Sequence, residues 1–431
     1  MNKFIYVLIF IVVFTNRSYS STQNLWLNIF IHGTSRPYIS MSDILKVRAD
    51  RVESSLYETV TTNIRNNLPL HTSQVIQQQG FHKVNIKNPL SSSAALFCSL
   101  YEQVSIKVNQ KNEYNLYYTF GWSGLLSLRA RRDASFDLLE HLNKICSELT
   151  KKGIKPHVRI VGYSHGGTIG LYLAEIAKQR NKKALFSVDE LILVGTPIQQ
   201  DTDFLTRDQL FKKIINLYSE GDLVQPSDFL STPFSITGER IFTSRKGFNV
   251  PSKVVQINIK LIQKQQSKPS IDGCSEKTVK RLNKINPGHI ELWNFEWASA
   301  WYRPYLPIAP FPACLFIPFF EKIIEKKQQS GLYDIVLVPD DCIAYIHKDC
   351  MARRVPFLSK DFMQDLKAQA YAFKSTINRA ENRCQIEEAG RLGKSYFRKT
   401  MPRINPIINQ QKIYASCGIQ QCPDRKKLLY R

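Results

Sequence analysis

Ser164 lies in Gly162-Tyr163-Ser164-His165-Gly166, a G-x-S-x-G pattern between the apolar run 158–161 and a helical pattern over 168–178. In a strand-turn-helix setting this pattern predicts attack by a serine on an acyl carbonyl. A turn that swings a side chain sharply out of a buried strand has no room for a Cβ two residues to either side, and Gly162 and Gly166 remove both collisions. The helix that follows would aim free N–H groups at the reacting centre, where they favour developing negative charge. A serine hydroxyl is a weak nucleophile by itself, so the chain must also supply a base and a group that orients the base.

Both residue types follow in order. The strand-like run 214–218 leads into Glu220-Gly221-Asp222, and an acid one short loop after a parallel strand sits on the same sheet edge as the serine. Asp222 is therefore the expected acid; Asp201 and Asp228 are competing carboxylates that do not follow a strand so closely. Asn286-Pro287-Gly288 is a turn signal that presents His289, the expected base, while His347 falls in a predicted C-terminal hairpin. Two backbone donors are needed for the oxyanion. One is the N–H of His165; the other belongs to Gly33 or Thr34, where the apolar run 27–31 ends in His32-Gly33-Thr34. Phe120 and Trp122, at the end of a β-prone aromatic segment, are candidate substrate-binding residues, with plain core as their alternative.

Through His32-Gly33-Thr34, residues 162–167, the strand and turn around Asp222, and Pro287-Gly288-His289, the chain resembles the α/β-hydrolases of the esterase/lipase type over residues 24–305. The resemblance implies an α/β fold with a mostly parallel, doubly wound sheet. It implies a Ser-His-Asp triad acting on an acyl-ester or lipid substrate through an acyl-enzyme, with no metal and no cofactor. Thioesterases, amidases and non-catalytic binding proteins share this fold, so those functions are the alternatives.

The elements expected around these residues are an amphipathic helix near 41–68, a polar stretch at 77–79 and a serine cluster at 91–93 that reads as cap-like insertion. A helix over 131–149, a strand over 188–194 stopped by Gly195 and Pro197, and a last strand over 254–261 complete the set. Loops 198–204 and 236–248 are candidate lid segments. Beyond residue 305 the expectation is a C-terminal α+β extension, 306–431. It begins with a proline-punctuated extended segment, continues with a hairpin around Pro339-Asp340-Asp341 and an amphipathic helix capped by Ser359 that stops near Gly390, and ends in a basic tail.

A formal charge of +23 predicts a basic surface drawn to anionic membranes or polymers, but no nucleic-acid recognition motif accompanies the charge. Oligomeric state is not encoded in any feature of the sequence. Met1-Asn2-Lys3, the apolar run 4–14 and Ser18-Tyr19-Ser20 read as a signal peptide over residues 1–20, hence an exported protein, periplasmic or secreted, with an uncleaved N-terminal anchor as the alternative. Nine cysteines are compatible with an oxidising compartment, and no CxxC pair suggests zinc.

Overall fold

The computed structural model describes residues 24–35, 41–66, 71, 74–109, 113–179, 184–228, 231, 238–262, 284–297, 308–325, 331–348 and 351–377. The expected signal peptide, the basic tail and the end of the last helix beyond Ile377 lie outside the described residues.

The strands are β1 (Leu25–Ile31), β2 (Gly80–Lys83), β3 (Tyr114–Gly121), β4 (His157–Tyr163), β5 (Val188–Val194), β6 (Phe211–Tyr218), β7 (Val254–Ile262), β8 (Lys284–Ile285), β9 (Gly331–Val338), β10 (Ile343–Lys348) and β11 (Met351–Pro356). Among the described residues they form one sheet in the order β11-β10-β9-β7-β6-β5-β4-β1-β3-β2, with β8 beside β7. The central strands β3, β1, β4, β5, β6, β7 and β9 pair in parallel, whereas β2, β8, β10 and β11 pair antiparallel. Parallel strands buried on both faces read as continuous apolar runs, which is why these segments stand out in the sequence.

Helices cover both faces. Helix α3 (Ser93–Asn109), α6 (Ile317–Glu325) and α7 (Lys360–Ile377) pack on one, and α4 (Leu128–Lys151) with α5 (His165–Gln179) on the other. Strand side chains alternate between the two layers: Ile192 and Val194 face the α3 side, Leu191 and Leu193 the α4–α5 side. The architecture is thus a mostly parallel sheet between helical layers, with an α-helical and β-strand C-terminal extension.

Where one helix is expected near 41–68, two form: α1 (Met41–Arg48) and α2 (Leu56–Arg65). The break lies at Asp50, whose backbone is left-handed (φ 53°) and whose carboxylate accepts from the free N–H groups of Leu128 and Arg129 at the start of α4, 2.9 Å each. Ser55 restarts the chain as an N-cap, its Oγ accepting from Glu58 N at 3.1 Å. The serine cluster at 91–93 is likewise a cap, for the buried helix α3, with Ser92 Oγ accepting from Ala95 N at 3.1 Å. Cys98, Cys146 and Cys314 are buried free thiols; burial pushes Cys146 up to about 12 and the other two well above the ordinary thiol value.

Candidate active site

Parallel strands send their carboxyl ends to one edge, and the loops leaving β1, β3, β4, β5 and β6 meet there. Ser164 is the residue between β4 and α5, with φ 52°. A left-handed backbone is uncommon for a residue with a Cβ and stores roughly 1–2 kcal/mol. A Cβ at Gly162 would stand 2.5 Å from the backbone of Gly167, and one at Gly166 would stand 2.5 Å from the carbonyls of Ile31 and His32. Both glycines are therefore required by close approach, as the sequence suggests.

His289 reaches this turn from the segment after β8, its Nε2 3.1 Å from Ser164 Oγ and its Nδ1 2.7 Å from Asp222 Oδ2. Asp222 is fully buried, and its other oxygen, Oδ1, accepts from Val224 N at 2.8 Å and Gln225 N at 3.2 Å. A carboxylate so supplied with donors accepts at Oδ2 as well, which places the imidazole proton on Nδ1 and leaves Nε2 free to accept from the serine hydroxyl. Gly195 (φ 56°) leaves room for this pair, since a Cβ there would lie 3.1 Å from Asp222 Oδ2 and 3.3 Å from His289 Nδ1. Tyr163 holds the histidine from beneath: its hydroxyl donates to His289 O at 3.1 Å, and its ring stacks on Trp293 at 5.2 Å.

The loop after β1 packs directly on the serine, for a Cβ on Gly33 would stand 2.8 Å from Ser164 Cβ. Thr34 Oγ1 is buried with no hydrogen-bond partner among the described residues. His32 is neutral: burial, reinforced by the Arg65 charge, holds it well below the ordinary histidine value. Trp122 acts on this loop, its indole N–H donating to His32 O at 2.8 Å and its backbone N–H to His32 Nε2 at 3.2 Å. Arg65, wholly buried, donates through Nε to Trp122 O at 2.9 Å. Phe120 sits in the α4-side core beside Phe81.

His165, the first residue of α5, is also buried and below the ordinary histidine value because of its burial. Asp228, a competing carboxylate in the sequence, faces His165 rather than His289, with Oδ2 3.6 Å from His165 Nε2. His347 lies on β10, five strand spacings or roughly 24 Å from β4. No group of histidine, cysteine or carboxylate side chains that could hold a metal occurs among the described residues.

Tyr163, Arg65 and Gly195 also support the site, and nothing in the sequence around Tyr163 or Arg65 marks them for that role. Gly195 carried a signal, as a glycine directly after a buried strand, but it reads equally as a strand stop.

No family model matches the chain, and no curated protein matches it. Similar solved structures include the following three. The product of the lin2722 gene of Listeria innocua is 13% identical with a TM-score of 0.22, covering 49% of this chain and 76% of its own. A cell surface hydrolase candidate from Lactobacillus plantarum WCFS1 is 13% identical with a TM-score of 0.22, covering 74% and 83%. The Tle1 effector bound to the VgrG spike of the Type 6 secretion system is 12% identical with a TM-score of 0.21, covering 46% and 45%. None reaches an identity or a TM-score from which a function follows. The sheet order, the flanking helices and the buried His289–Asp222 pair at the carboxyl edge nevertheless make this an α/β-hydrolase-like topology.

Proposed function

We propose that this protein is a serine hydrolase that cleaves carboxylic esters, of the esterase or lipase kind. The observation that carries the reading is the chain of contacts from Ser164 Oγ through His289 to Asp222, at 3.1 Å and 2.7 Å, built around a serine with a left-handed backbone.

His289 Nε2 takes the hydroxyl proton as Ser164 Oγ bonds to the acyl carbon, and Asp222 stabilises the imidazolium so formed. The N–H groups of His165 and of Gly33 or Thr34 receive the oxyanion. Collapse expels the alcohol, which takes the proton from His289. Water then adds to the acyl-enzyme by the same route, releasing the acid and restoring the serine. Trp122 would fix the oxyanion loop through His32, whereas Phe120, packed beside Phe81, takes the plain-core alternative. The reading extends to an exported enzyme whose basic surface meets lipid substrate at an anionic membrane.

The test is reaction with a fluorophosphonate probe and location of the adduct by peptide mass spectrometry. An adduct on Ser164 in the wild-type chain, absent from Ser164→Ala, is the expected result. An unreacted, demonstrably folded wild-type protein that also turns over no ester, thioester or amide would overturn the reading in favour of a binding role.

A further inference from the structure

Directly behind the serine lies a buried polar cluster that the proposed chemistry does not use. It joins Arg131 from α4, His165 from α5, Gln199 from the loop after β5, and Asp228 and Ser231 from the segment after β6. Arg131 is wholly buried and the other four nearly so. Arg131 Nη1 donates to His165 Nδ1 at 2.8 Å, so the ring proton sits on Nε2, facing Asp228 Oδ2 at 3.6 Å. Asp228 Oδ2 also accepts from Gln199 Nε2 at 2.8 Å and from Ser231 Oγ at 2.5 Å, while Arg131 Nη2 donates to Ser231 O. A neutral imidazole thus bridges a buried cation and a buried anion.

We propose that Arg131, His165 and Asp228 are positioning residues for the oxyanion donor of residue 165. The inference rests on Ser164 being the nucleophile. As the first residue of α5, His165 has an N–H outside the helical ladder, and that peptide hangs on the strained backbone of Ser164. Clamping the ring of residue 165 from two elements, α4 and the segment after β6, fixes the residue whose amide must not move during the reaction. Stability alone is a poor reason for the arrangement, because burying ions costs several kcal/mol each and apolar side chains of similar volume generally pack as well.

The same clamp separates the roles of two histidines. The charged and titratable groups facing His165 are Arg131, Asp228 and His289. Protonating Nδ1 would abolish the Arg131 hydrogen bond and press two cations together, so His165 stays neutral and His289 alone serves as base.

The experiment compares wild type with Asp228→Asn, which keeps shape and loses charge, and Arg131→Lys, which keeps charge and loses the fork. Phosphonylation of Ser164 by the fluorophosphonate is followed against probe concentration, alongside p-nitrophenyl butyrate hydrolysis and thermal unfolding. The saturating rate should fall about 10- to 100-fold in both variants, less than the loss of a whole oxyanion donor. The half-saturating concentration should stay within about twofold, since probe binding does not depend on that donor alone. Folded variants that react at the wild-type rate, or that lose only in half-saturation, would overturn the inference while leaving the ester-hydrolase reading intact. Should Asp228→Asn not fold, Arg131→Lys decides by the same criteria. A wild-type chain that neither labels nor turns over ester removes both readings together.

Discussion

At Asp222 a single atom determines what His289 can do. Oδ2 receives the Nδ1 proton while Oδ1 is occupied by two backbone N–H groups. In Asp222→Asn the oxygen would stay on the backbone donors and the amide N–H₂ would face Nδ1. The imidazole proton would then move to Nε2, against the serine hydroxyl. A drop in kcat of about 10⁴ is expected with little change in fold, and ester turnover assays check it. A wild-type rate would transfer the orienting role to another carboxylate. The buried histidines make a second prediction. His32 and His165 are held below the ordinary value near 6.5, so near and below that pH the unfolded chain binds protons that the folded chain refuses. Their stabilising effect is fully present above about pH 6.5. It is lost as the pH falls towards the folded-state values, by about 1.4 kcal/mol per pH unit for each ring. Urea unfolding at pH 7.5 and pH 5 should therefore show a lower midpoint at pH 5; equal midpoints would mean that the rings are charged in the fold. Why the sequence conceals Arg131 and Asp228 is clear at this scale: Arg131 stands in the run Arg129-Ala130-Arg131-Arg132, which reads as a solvated basic face. Asp228 reads as one more loop carboxylate.

Helix α4 owes its start to two acceptors. Ser127 Oγ takes the N–H of Ala130 at 3.0 Å, and the Asp50 carboxylate takes those of Leu128 and Arg129. Asp50→Ala should cost about 1 kcal/mol, measured by chemical denaturation, and should weaken the seating of α1 on α4. An unchanged midpoint would mean that water replaces the carboxylate without loss. The amphipathic pattern continuing past Asp50, with Val52, Leu56, Val60 and Ile64 at helical spacing, is what makes 41–68 look like one helix, because a break set by a distant helix terminus has no local signature. Helix α3 is hidden for the opposite reason: Ala94, Ala95, Leu96, Phe97 and Cys98 are all buried, so its first turns have no polar face and no period to read. The parallel strands β1, β4, β5, β6 and β7 are legible as apolar runs closed by loops. With them comes the carboxyl edge on which Ser164, Asp222 and His289 meet.

Across the whole molecule, the C-terminal strands and helices share the packing of the sheet. β9 pairs with β7 over seven residues, and Tyr333, Ile335, Leu337, Leu366 and Phe373 are buried with Phe97 and Trp293. A chain ending at residue 325 would leave β7 with an open parallel edge and strip apolar cover from that face, so it should be insoluble or rapidly proteolysed, whereas one ending at 377 should fold. Limited proteolysis and circular dichroism of the two chains would check this, and a folded 1–325 chain would refute it. The three sealed thiols can time how the molecule comes apart. Cys98 and Cys314 lie in the layer with α3 and α6, Cys146 in the layer with α4 and α5. An alkylating reagent can reach each one only when its own layer opens. The relative speeds of modification therefore report, without any engineered label, which side of the sheet yields first and whether the layer bearing the serine loosens independently of the other.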